Sequence, residues 1–186
     1  GNDIVFQVFP ETLWIAPEKE REQIARFSSY KSIDWPIHGG EQWTFGGTEL
    51  LFMETPGHTV GHISVRADEH LFIGDTILTY STGHCRLGGD VGVLYQTYTH
   101  ILSLLPGNLL LYTGHDYRQN NLSFLLSLEP QHRIAQQRLE ELQSKGTSAP
   151  RILTMKQERA VNPFMRLQEE SLHQQVRMKW PDVYQQ

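Results

Sequence analysis

Between Trp43 and Tyr112 the apolar residues fall in short runs, each closed by a turn signal, and only one stretch has helical spacing. That alternation restricts the chain to a layered α/β arrangement. Trp43-Thr44-Phe45 and Glu49-Leu50-Leu51-Phe52-Met53 flank Gly46-Gly47, the pattern of a tight hairpin. Residues 63–66 and 70–74 read as a second strand pair around Ala67-Asp68-Glu69. Leu94, Tyr98, Ile101, Leu102 and Leu105 lie on one stripe, so a helix is predicted over 95–105, stopped by Pro106-Gly107. Residues 109–112 form another buried strand. Upstream, 13–16 reads as a short strand ended by Pro17 and 18–30 as a surface helix; the first 80 residues are otherwise strand-like.

The tail changes character. Residues 120–145 read as two helices broken near Pro130, with Ala135, Leu139 and Leu142 on one apolar face. Thr154 and Gln157 have the spacing of a capping box that opens a further helix, and 169–179 reads as a polar helix. The predicted division is a domain over 1–117 and a helical C-terminal region over 118–186 that covers the site.

Composition excludes some partners. The net charge is −5 and no Lys/Arg stripe occurs, which argues against nucleic acid and against a polybasic membrane contact. No apolar run reaches the length of a bilayer span. The single cysteine, Cys85, allows neither an intrachain disulfide nor a cysteine zinc site, and fits a reducing, cytoplasmic compartment.

Three segments carry the chemistry, each just past a predicted strand. They are Thr55-Pro56-Gly57-His58-Thr59-Val60-Gly61-His62, Gly74-Asp75-Thr76 and Gly114-His115-Asp116-Tyr117. Two imidazoles and a carboxylate at strand ends form the mixed N/O donor set that zinc and similar metals prefer. A lone histidine after a turn is more often hydrogen-bonded than ligating, and Gly-Asp is commonly a turn. The weight lies in the three together.

These segments resemble the later motifs of the metallo-β-lactamase superfamily, and most closely its glyoxalase II (hydroxyacylglutathione hydrolase) branch. The resemblance covers nearly the whole chain. Gly114 to Phe124, reading GHDYRQNNLSF, is similar to that branch's Gly-His-Glu-Tyr followed by Asn-Asn-Leu-x-Phe, and Asn162-Pro163-Phe164-Met165-Arg166 to its Asn-Pro-Phe-Met-Arg. The implied fold is a four-layer αββα sandwich, here without its N-terminal strands, plus a helical appendage. The implied cofactors are two divalent metal ions, zinc above all, with iron or manganese as alternatives. His58 would ligate the first ion, Asp75 would bridge both as the catalytic carboxylate, and His115 would ligate the second. His62 would stand beside the site in a structural role. Tyr117, Arg86, Arg177 and Lys179 would contact the substrate, a small thioester such as S-(2-hydroxyacyl)glutathione, cleaved by a metal-activated hydroxide.

Departures from the pattern bear on that reading. None of the nine histidines lies in the superfamily's His-x-His-x-Asp-His motif, which supplies four ligands, so activity requires an upstream segment. Gly1-Asn2-Asp3-Ile4-Val5-Phe6, leading to the strand at 13–16, is similar to the family's continuation beyond that motif. The expectation is a chain that begins inside a longer product, with roughly 60–90 residues upstream. Gly83-His84-Cys85-Arg86-Leu87-Gly88 lacks the aromatic glutathione contact at Gly88. Cys85 beside His84 and Arg86 raises the thought of a nucleophile, but adjacency in sequence does not supply the geometry of a Cys–His pair. Two rival readings stand: a persulfide dioxygenase-like enzyme with one iron, which shares His-Asp-Tyr, and an inactive, metal-free member.

Overall fold

A computed structural model describes residues 2–27, 33–146, 149 and 151–184. The chain divides into two compact units, Gly1–Asp68 with His84–Thr97, and Glu69–Gly83 with Tyr98–Gln186. The later strands fold with the helical tail, because they share one core with it.

The first unit holds helix α1 (Asn2–Val8), strand β1 (Ile15–Pro17), helix α2 (Arg21–Phe27), strands β2 (Trp35–Ile37), β3 (Gln42–Phe45), β4 (Thr48–Glu54) and β5 (Ile63–Ala67), and helix α3 (Val91–Gln96). The N-terminal residues are helical where strand-like chain was expected. A helix satisfies its own backbone hydrogen bonds, whereas a strand there would need an edge to pair with. Strand β1 is short and pairs in parallel with β2, Ile15 opposite Trp35. The predicted helix over 18–30 is a 3-10 turn followed by α2, and its last residues lie outside those described. The β3–β4 hairpin turns on Gly46 and Gly47, with φ of 58° and 86°. A two-residue turn of this hand requires positive φ at both positions, which glycine adopts without strain. Strand β5 pairs antiparallel with β4, Glu54 opposite Ile63, so the eight residues of the first motif form the loop between them.

The second unit holds strands β6 (His70–Gly74), β7 (Ile77–Leu78), β8 (Ser81–Thr82), β9 (Leu110–Thr113) and β10 (Leu153–Thr154), and helices α4 (Arg118–Leu128), α5 (Arg133–Lys145), α6 (Met155–Val161) and α7 (Glu170–Lys179). Strand β9 pairs in parallel with β6 and antiparallel with β10, a mixed sheet. The stretch predicted as one helix over 95–105 starts earlier, because Asp90 caps α3 by accepting from the Val93 N–H, and continues as a π turn and a 3-10 turn. The two tail helices appear as read, with Leu122, Leu125 and Ala135 packed with Tyr80, Leu153 and Val161. The Thr154–Gln157 capping box is present in both directions.

Candidate functional site

In the first unit the 55–62 loop is closed at its neck. The Thr55 N–H donates to the His62 carbonyl at 2.9 Å, and the Thr55 hydroxyl lies 2.9 Å from His62 Nδ1 and 2.7 Å from the Ser64 hydroxyl. His62 is thus built into the loop. Two glycines let neighbouring backbone crowd the loop. A Cβ on Gly57 would sit 2.4 Å from the Leu94 backbone, and one on Gly89 2.0 Å from the Gly57 carbonyl oxygen.

His58 is buried, 8% exposed. Its Nδ1 lies 2.6 Å from the His84 carbonyl oxygen. A carbonyl only accepts, so Nδ1 carries the proton and Nε2 is the lone-pair nitrogen. Ligating histidines are commonly held by a bond of this kind at the other nitrogen. Arg86 is exposed, and its N–H donates to His84 Nδ1 at 3.3 Å. The Cys85 thiol is pushed up by burial and by Asp90. That is opposite to what a thiolate nucleophile needs.

In the second unit, Asp75 and His115 sit just past the ends of parallel neighbours β6 and β9. The Gly114 N–H donates to the Gly74 carbonyl at 3.0 Å and draws the two segments together. His115 Nδ1 then lies 2.8 Å from Asp75 Oδ1. A Cβ on Gly114 would sit 2.3 Å from that same oxygen. Only glycine leaves the carboxylate where it is. An imidazole and a carboxylate brought this close at a pair of strand ends fit a divalent ion in donor type. No group of three or more His, Cys, Asp or Glu side chains able to hold a metal occurs among the described residues. The structure brings Asp75 and His115 together, and His58 belongs to the other unit.

Tyr117 stacks on His115, ring centroids 5.6 Å apart and planes 5° from parallel, with its ring half-exposed. Asp116 between them is used elsewhere. The buried Arg118 guanidinium donates to both its oxygens, at 2.8 and 2.9 Å, and holds its carboxyl below the usual range. Arg151 pairs with it from the other side at 3.3 Å. Arg177 pairs with Glu170, and Lys179 donates to the Ser127 carbonyl in the last turn of α4. Tyr117 precedes the first turn of that helix, about 15 Å away at 1.5 Å per residue. Lys179 is thus held at the opposite end of α4 from Tyr117.

The profile of the metallo-beta-lactamase superfamily matches residues 4–115. The chain belongs to the metallo-β-lactamase superfamily. The profile described as hydroxyacylglutathione hydrolase C-terminus matches residues 116–184. A hydroxyacylglutathione hydrolase of Nitrosococcus oceani is 35% identical over 98% of this chain and 68% of its own length. One from a Polaromonas species is 36% identical over 81% of the chain and 59% of its own length. The chain thus spans about three-fifths to two-thirds of these relatives. Among solved structures, the BLEG-1 B3 metallo-beta-lactamase superposes with a TM-score of 0.59 at 20% identity, over 88% of this chain and 69% of that one. ETHE1 from Myxococcus xanthus gives 0.53 at 22% identity, over 81% and 55%. At such identities these superpositions establish the fold. Superfamily membership implies binding of divalent metal.

Several residues of the site's surroundings escaped the sequence reading. Asn121, Glu158 and Asn162 all support the segment after Asp75, and Arg118 holds Asp116 and the Ala149 carbonyl. Asn121 Nδ2 donates to the Thr79 carbonyl at 2.9 Å. Asn121 and Asn162 lie inside motifs already quoted, without a role. Glu158 had one legible signal, its place four residues before Asn162 on a helix (same face, i to i+4).

Proposed function

We propose that the chain belongs to a metal-dependent thioester hydrolase, and that the substrate is an S-(2-hydroxyacyl)glutathione or a close relative. The observation that carries the reading is the Asp75–His115 pair, set 2.8 Å apart with glycine at position 114, in a chain whose residues 116–184 match the hydroxyacylglutathione hydrolase C-terminus. Asp75 and His115, with His58, would hold divalent ions, zinc being the first choice for this donor set. Such ions, when bound, polarise a carbonyl and acidify water to a pKa of about 7.

The chain's own residues have distinct tasks in this reading. His58 keeps its proton on the His84 side, which would leave Nε2 as the nitrogen to donate to an ion. Asp75 supplies the negative charge that lets two cations share one site. Tyr117, stacked on His115, offers its hydroxyl to the thiol half of the substrate. Arg86 is an exposed cation suited to a glutathione carboxylate. Arg177 and Lys179 serve only if the substrate extends toward the far end of α4. The His-Asp-Tyr match to the persulfide dioxygenases carries little weight, since Asp116 is held as a structural partner of Arg118.

The test is hydrolysis of S-(2-hydroxyacyl)glutathione by the protein as its gene encodes it, with Asp75→Asn as the paired variant. Turnover should fall by at least 100-fold and bound metal should drop with it. An Asp75→Asn protein with undiminished metal and turnover would refute the assignment. One iron per chain with consumption of dioxygen would favour the rival dioxygenase.

A further inference from the structure

Glu158 lies in α6 with 1% of its surface exposed. Its Oε2 has no hydrogen-bond partner among the described residues. Its Oε1 accepts from the Tyr80 N–H at 2.6 Å and from Asn162 Nδ2 at 2.8 Å. The same Asn162 nitrogen donates to the Ser81 carbonyl at 2.8 Å. Both residues therefore grip the turn between β7 and β8. Tyr80 holds φ at 69° there, a conformation that a non-glycine residue keeps only when its surroundings enforce it. The other end of the hairpin is tied down too. The Thr76 carbonyl accepts from the Tyr98 hydroxyl at 2.8 Å and from the Thr82 hydroxyl at 3.2 Å. Thr76 directly follows Asp75.

An ionised carboxylate in such a place would be costly. Taking a charge out of water is unfavourable unless a counter-charge and hydrogen bonds replace the solvent. The ionisable groups that face Glu158 are the Tyr80 and Tyr98 phenols, and both are themselves pushed up by burial. On its own helix, Arg159 is turned to the carbonyls of Leu102, Ser103 and Leu105. Arg118, Arg138 and Glu141 act on the Tyr80 phenol from α4 and α5. Burial raises the Glu158 carboxyl to about 7, against the opposing pull of its two hydrogen bonds.

We propose that Glu158 is a neutral carboxylic acid that fixes the 77–82 hairpin and, through Thr76, positions the Asp75 carboxylate to bind metal. The protonation stands independently of the proposed hydrolase; the role toward Asp75 rests on that reading. Glu158 touches neither an ion nor a substrate, so it is a positioning residue.

Two measurements on the full chain separate these parts. The first is the infrared carbonyl stretch of a protonated acid at pH 6, in wild type and in Glu158→Gln. The band should be present in wild type and missing from the variant, and its absence from wild type overturns the neutral acid. The second is a zinc titration of both proteins and of Glu158→Asp. The amide of Glu158→Gln keeps an acceptor for Tyr80 and Asn162, so affinity should stay within about twofold of wild type. The shorter Glu158→Asp cannot reach the turn in the same way, and affinity should fall about tenfold. Wild-type affinity in folded Glu158→Asp overturns the positioning role, as does a tenfold loss in Glu158→Gln. If Glu158→Asp does not fold, the Glu158→Gln titration alone decides. Neither measurement uses thioester turnover, so failure of the substrate assignment would leave both results intact.

Discussion

Replacing Glu158 by glutamine should change how the stability of this protein depends on pH. In the unfolded chain the Glu158 carboxyl ionises near 4.5, and in the folded chain it ionises near 7. The folded-state value is raised, so the acid's stabilising contribution is complete below pH 4.5 and is lost as pH rises toward 7. Between those values the unfolded state releases its proton while the folded state keeps it. Each pH unit then costs about 1.4 kcal/mol, roughly 3 kcal/mol over the whole window. Glutamine does not titrate. The stability difference, wild type minus Glu158→Gln, should therefore fall by about 3 kcal/mol from pH 4.5 to 7 and be flat above that. The assay is urea denaturation at intervals from pH 4.5 to 8, followed by circular dichroism and by tryptophan fluorescence. Carboxylates held low by ion pairs, such as Asp116 and Glu169, lose stability as pH falls, but they do so in both proteins and cancel in the difference. A difference that does not change with pH would refute the buried neutral acid and the reasoning built on it.

Other outcomes follow from the same geometry. Gly114→Ala places a Cβ 2.3 Å from Asp75 Oδ1, and a carboxylate can swing aside cheaply, so the melting temperature should barely move while zinc affinity falls at least tenfold by calorimetry. Arg166 bonds Glu129 at 2.8 and 2.9 Å in a pair that is only 11% and 16% exposed. Arg166→Ala strands the Glu129 charge and should cost about 3 kcal/mol in urea denaturation, without a matching loss of metal affinity per folded molecule. Thr154→Ala removes the cap of α6 and should cost about 1 kcal/mol by the same assay.

Local chemistry made much of this molecule legible in advance. The Gly46-Gly47 turn, the paired strands around it, the break between α4 and α5 and the Thr154 cap all arise from contacts within a few residues, and such contacts are written directly in sequence order. The three glycine-flanked segments could likewise be singled out as candidate metal ligands, because the donor types and their place after strands are local features. Where the reading missed, the deciding contacts were distant. The N-terminal residues are helical rather than strand-like, and the choice turns on whether a sheet edge is offered to them, which periodicity does not encode. Arg177 and Lys179 were substrate contacts only by resemblance to the family; the fold adds that Lys179, at the end of α7, reaches the Ser127 carbonyl in the last turn of α4.

The donor set is thus a property of the residue order: His58, Asp75 and His115 each stand behind a glycine or a turn. How two of them are held is a property of the folded chain. The parallel pairing of β6 with β9 brings Asp75 to within 2.8 Å of a histidine forty positions later. A buried acid on α6, 83 residues beyond Asp75, reaches back to the turn that follows Asp75. Both depend on desolvation and on contacts across long stretches of chain.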